Sequence, residues 1–295
     1  MTTPTEIDKC AFSTVKPKTA EELRSRLYEG ELFLFAATVE SLEFVNAAQA
    51  AIEESFQAIG DARRAQQKMD AAEFFAKAGE LRKKIYKESS FHKLIAKLVS
   101  SIGFADERTG VDPARLRVVM PGGHKNPAAA AMYYGHRDTW YANPQSMLTW
   151  WIPMHEVDES NSFCFFPEHF GRAVSNDSEI FNFEDWVSKD EKKLIGWQDK
   201  STGLTAKYPQ LLEEPDGLQV PVECQKGDIV LFAGQHLHRT YRHNCELTRF
   251  SLDFRTVDFV DQEEGREAKN TDNRSTGSWN KKFLPLQDNN LRVIQ

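Results

Sequence analysis

A histidine and an aspartate stand two residues apart in Gly135-His136-Arg137-Asp138, directly after the aromatic run Met132-Tyr133-Tyr134. Residues i and i+2 of an extended segment project to one side, so His136 and Asp138 are spaced to offer an imidazole and a carboxylate to one metal. A His-x-Asp alone is as often a surface turn. A second histidine source follows the buried run Ile229–Phe232, in Gly234-Gln-His-Leu-His238, with His243 just beyond. Two imidazoles and a carboxylate form the facial ligand set of non-haem Fe(II) oxygenases, which leaves coordination positions open for co-substrate and O2. Alternation puts His236 and His238 on one face, so either completes the set on spacing alone. A third element, Thr248-Arg-Phe-Ser-Leu-Asp-Phe-Arg255, alternates as a strand and brings Arg249 and Ser251 to a common face. By themselves these two read as a solvated strand face. In chain order behind the histidines, Arg249 reads as a bidentate grip for the far carboxylate of an iron-chelating 2-oxo acid.

The elements that must position these groups fall in two halves. From 19 to 102 the pattern is helical. Thr19-Ala-Glu-Glu22 is a capping box, Phe33–Ile59 has helical apolar spacing, Asp61–Lys87 is a charged, solvated helix, and Phe91–Ile102 is amphipathic with Gly103 as its stop. From about 115 short β-rich runs take over: Leu116–Met120, Met132–Gly135, Ser146–Pro153, Ser162–Pro167, Val220–Cys224, Asp228–Ala233 and Thr248–Asp258. Residues 174–217 interrupt them as a polar, partly helical insertion, and 261–278 read as a mobile loop. The expected fold is mainly β with flanking helices. It has a double-stranded β-helix (jelly roll) core over 115–257, an N-terminal helical support over 19–102 and a C-terminal extension over 258–295, all in one domain of 1–295.

Composition removes several function classes. The chain of 295 residues is 40% hydrophobic and 11% aromatic, enough to offset the entropy of ordering. A net charge of −7 and a pI near 5.7 lack the basic footprint of a nucleic-acid binder. Mean hydropathy is −0.55 and no apolar run approaches the ~20 residues of a membrane span. Cys10, Cys164, Cys224 and Cys245 are scattered, which argues for reduced thiols rather than a disulfide frame. Without a visible signal segment the expected location is cytoplasmic. Neither phosphate-binding glycine motif is present.

The ordered set His136-x-Asp138, Trp151-Ile-Pro153, Asn161-Ser162, Pro167-Glu-His169, Gly227-Asp228, Leu237-His238, Asn244 and Arg249 resembles the phytanoyl-CoA dioxygenase-like branch of the Fe(II)/2-oxoglutarate-dependent oxygenases. The resemblance covers about 115–257. Ser162 stands where the family has Gly, and Pro167-Glu-His-Phe170 where it has Pro-Gly-Ser-His. The resemblance implies His136, Asp138 and His238 as iron ligands and Arg249, with Ser251 and Thr149, as 2-oxoglutarate contacts. His236 becomes the runner-up ligand. It further implies hydroxylation of a small-molecule substrate with release of succinate and CO2, since related halogenases lack the carboxylate that Asp138 supplies. His136-Arg-Asp-Thr-Trp-Tyr141 and Ser251-Leu-Asp-Phe-Arg-Thr256 look most like cyanobacterial biosynthetic members. Trp140 and Trp151 are the candidate substrate contacts, and the aromatic cluster with the acidic pI suits a cationic substrate. Two readings compete: a zinc hydrolase built on His236, His238 and a carboxylate, and a non-catalytic jelly-roll binding module.

Overall fold

The computed structural model describes residues 12–189, 208–242 and 245–286. Its helices begin where the side chains can cap them. The Thr19 hydroxyl accepts the Glu22 N–H at 3.1 Å and starts α1 (Ala20–Tyr28), and Thr38 with Ser41 forms a reciprocal capping box for α2 (Val39–Phe56). Then come α3 (Ala71–Lys87) and α4 (Ser89–Ile102), the latter closed by Gly103 in the left-handed conformation at φ +104°. Phe44, Phe56, Phe74 and Phe91 bury their rings, and of the charged residues of α3 Arg82 is buried with them. Helical spacing fails at its first residues. Phe33 belongs to β2 (Leu32–Phe35), which pairs in parallel with β1 (Phe12–Ser13) and antiparallel with Val230 and its neighbours. Four consecutive apolar residues carry no period of their own, and the sheet edge they cover decides their conformation.

The second half supplies two sheets. Its strands are β3 (Thr109–Val111), β4 (Arg115–Val119), β5 (Leu148–Pro153), β6 (Phe163–Phe165), β7 (Val220–Pro221), β8 (Ile229–Ala233), β9 (His238–Thr240), β10 (Arg249–Asp258) and β11 (Leu284–Pro285). The larger sheet runs β1-β2-β8-β5-β10-β3-β11, with β4 also on β10, and the smaller runs β7-β6-β9. An isolated antiparallel bridge, His136 to His238, adds one more segment beside β9. Alternation along β5 sends neighbouring tryptophans to opposite faces. Trp150 stacks on Phe254 (centroids 5.4 Å apart, planes 17° apart) toward the helices, while Trp151 meets Phe163 at 5.0 Å between the sheets. Trp151, Val230 and Phe232 from the large sheet and Phe163 and Phe165 from the small one fill that inter-sheet layer. Each such side chain contributes about 1.5–3 kcal/mol on burial.

Two further expectations need correction. Met132–Gly135 is not a strand: Pro127–Tyr133 forms a 3-10 turn, and pairing starts only at His136. The segment 261–278 is not loose. It starts inside α6 (Phe259–Glu264), which follows α5 (Phe183–Lys189), and its Asp272 carboxylate accepts from Arg137 Nε (3.0 Å), Trp140 Nε1 (2.9 Å) and the Val174 amide (3.0 Å). Polar composition suggested mobility, but the buried Arg137 supplies the partner that fixes it. The insertion 174–217 is described at its two ends, joined by an Asn176–Leu211 bridge; its residues 190–207, and Asn244 and His243, lie outside the described residues. Among the described residues Cys164, Cys224 and Cys245 form no disulfide. No helix among the described residues is long and apolar enough to cross a membrane.

Candidate metal centre and co-substrate pocket

His136, Asp138 and His238 meet at one end of the inter-sheet layer, with one donor atom from each lying within 4.8 Å of the others. The backbones of His136 and His238 exchange two hydrogen bonds of 3.0 Å, which fixes the imidazole pair at a centroid separation of 4.4 Å. Arg137 between the ligands is extended (φ −106°, ψ 140°), so the i, i+2 spacing holds even though Asp138 opens a 3-10 turn. The Arg137 side chain is fully buried on the opposite side. Besides Asp272 it donates to the carbonyls of Gln235 (2.5 Å), His169 (2.8 Å) and Arg172 (2.9 Å), stapling the motif to the turn before β9.

The ligands' hydrogen bonds select the metal-binding form. His136 Nδ1 lies 2.9 Å from the Tyr134 carbonyl and His238 Nδ1 3.0 Å from the His236 carbonyl. A carbonyl accepts only, so Nδ1 carries the proton in both rings and each Nε2 keeps its lone pair for a metal. Burial pushes the His238 imidazolium down to about 3, helped by the neighbouring His136, so the ring is neutral over the working pH range. Burial raises the Asp138 carboxyl, but Arg255, His136 and His238 outweigh it and hold the group well below the usual carboxylate range. Arg255 lies 3.6 Å from Asp138 Oδ1 and is itself held by Asp112. The donor set, two imidazoles and a carboxylate with open space beside them, fits Fe(II).

Thr149, expected as a co-substrate contact, gives its hydroxyl proton to Asp138 Oδ2 at 2.6 Å. It orients the carboxylate ligand from across β5. Thr149→Val removes this bond at constant shape and is expected to weaken Fe(II) binding about 10–100-fold, the usual cost of losing a ligand's supporting bond. Calorimetric metal titration under nitrogen measures it; unchanged affinity would refute the orienting role.

Arg249 and Ser251 emerge on the same inner face, as alternation along β10 requires. Arg249 is buried, donates through Nη1 to the Asn161 carbonyl at 2.8 Å and lies 5.7 Å from the Trp151 ring centroid. Its Nε and the Ser251 hydroxyl are buried without a hydrogen-bond partner. Burial lowers the Arg249 guanidinium to about 10, which leaves a charged, under-satisfied cation in the sheet. Such a group is expensive unless an anion meets it. Its cavity, about 230 Å³, is shared with His136, Asp138 and His238. The residues therefore fit a small dicarboxylate whose near end reaches the metal.

Of the expected substrate contacts, Trp151 lines this cavity and Trp140 does not. Trp140 is fully buried and its indole N–H is committed to Asp272. The turn that follows Asp138 directs Tyr141 inward instead. Trp140→Phe is expected to lower stability by about 1–3 kcal/mol in denaturant unfolding, as it leaves a buried acceptor short of a donor, with substrate KM unmoved. His236 is not a ligand: its Nδ1 faces the Ala233 carbonyl and its Nε2 the Gly30 carbonyl, each at 3.0 Å. Sequence reasoning missed Arg255, Asp112 and the arginines of β4. Alternation from Arg249 through Asp253 reaches Arg255, so that one was legible on β10.

No family model matches the chain, and no curated protein does. Solved structures resemble it at low identity. EvdO2 from Micromonospora carbonacea var. aurantiaca complexed with 2-oxoglutarate is 12% identical, covers 83% of this chain and 94% of its own, and has a TM-score of 0.49. The non-heme alpha ketoglutarate dependent epimerase SnoN from nogalamycin biosynthesis is 14% identical over 90% of this chain and 99% of its own, with a TM-score of 0.42. The non-heme monooxygenase ThoJ in its Ni complex is 12% identical over 76% and 71%, with a TM-score of 0.35.

Proposed function

We propose that this protein is an Fe(II)/2-oxoglutarate-dependent oxygenase that hydroxylates a small molecule. The observation that carries the reading is one cavity holding both halves of the chemistry. It contains a His-Asp-His set in its metal-binding tautomers and a buried arginine that wants a carboxylate. When bound, Fe(II) with 2-oxoglutarate and O2 would supply the oxidising power, releasing succinate and CO2. The chain's own residues hold the carboxylate ligand (Thr149, Arg255), grip the far end of the oxo acid (Arg249, Ser251) and exclude water with Trp151, Phe163 and Phe232.

The strand order supports a double-stranded β-helix. In chain order β4, the His136 segment, β5 and β6 alternate between the sheets, β6 and β7 pair within the smaller one, and β8, β9 and β10 alternate again, giving β4-β10-β5-β8 against His136-β9-β6-β7. We take residues 1–295 as a single cytoplasmic oxygenase domain and the reaction as a tailoring step of natural-product biosynthesis. The 136–141 and 251–256 runs look most like cyanobacterial biosynthetic members, among which a cylindrospermopsin-type late hydroxylation is one candidate. The zinc-hydrolase reading fails on His236, which points away from the cluster, and leaves Arg249 without a role.

The test is an anaerobic visible titration of apoprotein with Fe(II) and then 2-oxoglutarate. An iron-to-keto-acid charge-transfer band is the expected result. Iron binding without the band would overturn the oxo-acid assignment, and no iron binding would leave a binding module.

A further inference from the structure

We propose that the substrate of this site is an oxyanion, a carboxylate or a phosphate ester, received at the end of the cavity built by Arg82, Arg115 and Arg117. The inference rests on the oxygenase reading and specifies its substrate class. Its basis is the charge balance of the cavity. Among the described lining residues five are arginines (82, 115, 117, 249 and 255), and two are carboxylates, Asp138 and Asp253. Asp112, just behind the wall, is shared by Arg115 and Arg255. Arg117 Nε takes Asp253 at 2.5 Å. Among the described residues five cations stand against three carboxylates, an excess of positive charge. Fe(II) and a 2-oxoglutarate dianion cancel each other and do not change that excess. The chain as a whole carries −7, so the sign inside the cavity is the reverse of the sign outside.

The fold gathers these cations from separate elements. β4 alternates, so Leu116 and Val118 face the helices while Arg115 and Arg117 face the cavity beside Asp253 and Ser251 of β10. From α3, Arg82 reaches the β4 edge and donates to the carbonyls of Leu116 (3.3 Å) and Val118 (3.5 Å). Burial and the adjacent Arg117 cation bring the Arg82 guanidinium down to about 10, still charged at neutral pH. Two like charges brought together at a buried wall repel, and an oxyanion between them relieves the repulsion with charge-assisted hydrogen bonds.

Two aromatic rings of the cavity wall already face a cation of the protein. The Arg115 guanidinium lies 6.0 Å from the Tyr86 centroid and 5.9 Å from the Trp279 centroid, so the protein's own cation faces both rings. What remains, Tyr141, Phe181, Trp186 and Tyr208, offers an apolar wall for the body of the substrate.

The test uses the anaerobic Fe(II)–2-oxoglutarate complex and four probes of one shape: phenylacetate, benzyl phosphate, phenylacetamide and phenethylamine. Binding is read from quenching of tryptophan fluorescence, Trp151, Trp186 and Trp279 being in the wall. The expected result is that an anion binds about tenfold or more tighter than the amide, and the amine weaker still. Arg117→Gln should erase the preference and Arg117→Lys restore most of it. Whichever anion wins identifies carboxylate or phosphate as the source. Amide or amine binding as tight as the anions, no anion binding at millimolar concentration, or a preference unchanged in Arg117→Gln would each overturn the proposal. Should Arg117→Gln fail to fold, Arg115→Gln and the wild-type ranking decide. The charge-transfer band, recorded before any probe is added, reports separately on the oxygenase reading.

Discussion

His238→Ala is expected to abolish Fe(II) binding, whereas His236→Ala leaves it intact. The two histidines are two residues apart and both buried or nearly so, yet their ring nitrogens face different partners. His238 Nδ1 is spent on a carbonyl and Nε2 faces the Asp138 and His136 donors. Both His236 nitrogens face carbonyls, one of them across the fold at Gly30. Losing a bond that merely supports a ligand costs about 10–100-fold in metal affinity, so losing the ligand itself should cost more than the upper figure. The main-chain bonds between His136 and His238 survive the substitution, so the fold should persist. A metal present at about a hundred times its Kd adds about 2.7 kcal/mol to native stability. Thermal unfolding with and without Fe(II) under nitrogen therefore reads the difference: a metal-dependent rise in Tm for wild type and His236→Ala, none for His238→Ala. His236→Ala should instead lower the metal-free Tm, because it strips a buried ring from the Phe170 and Phe165 contacts. The reverse pattern would overturn the ligand assignment.

This pair also marks how far the amino-acid order alone can reach. His136 and Asp138 were legible because their geometry is local: one extended residue, Arg137, separates them. His236 and His238 were not separable, because alternation treats i and i+2 as equivalent. The turn through Gly234 and Gln235 breaks that equivalence, since β9 begins only at His238. Arg249 and Ser251 followed from the period of a ten-residue strand, and the same period carried on to Arg255. That Arg255 steadies Asp138 depends on β10 lying beside β5, with Arg255 opposite Thr149, a pairing of residues far apart in the chain. Asp272 is the extreme case, 135 residues from the Arg137 it anchors. A polar stretch around it looked loose because nothing nearby in sequence calls for a buried carboxylate. The strand at Leu32–Phe35 was hidden for the opposite reason: a run apolar at every position carries neither period, and only the β8 edge beside it fixes the answer.

Arg249→Met is expected to lower 2-oxoglutarate affinity by roughly thirtyfold or more while leaving Fe(II) affinity as it is. Truncating one partner of a buried, hydrogen-bonded charge pair costs about 2–5 kcal/mol, and 1.4 kcal/mol is a factor of ten. Arg249 touches none of His136, Asp138 or His238, so the metal should not register the change. Arg249→Lys keeps the charge but loses the fork that matches a carboxylate in two places, and should fall between. The substitution also has a second, opposite consequence. In the free protein the guanidinium is buried with one carbonyl bond, a ring face and an idle Nε. Its depressed pKa, about 10 against the usual 12.5, says that folding disfavours the charged form. For a base with a lowered folded pKa that penalty is present at neutral pH and is relieved as pH rises past about 10. Methionine has no such penalty, so Arg249→Met without ligand should unfold at the same temperature as wild type or higher. A residue kept for packing would behave the other way, with a lower Tm and an unchanged 2-oxoglutarate affinity. Isothermal titration of 2-oxoglutarate into the Fe(II)-loaded variants, run beside thermal unfolding of the free proteins, separates an arginine held in reserve for an anion from one that holds the sheet together.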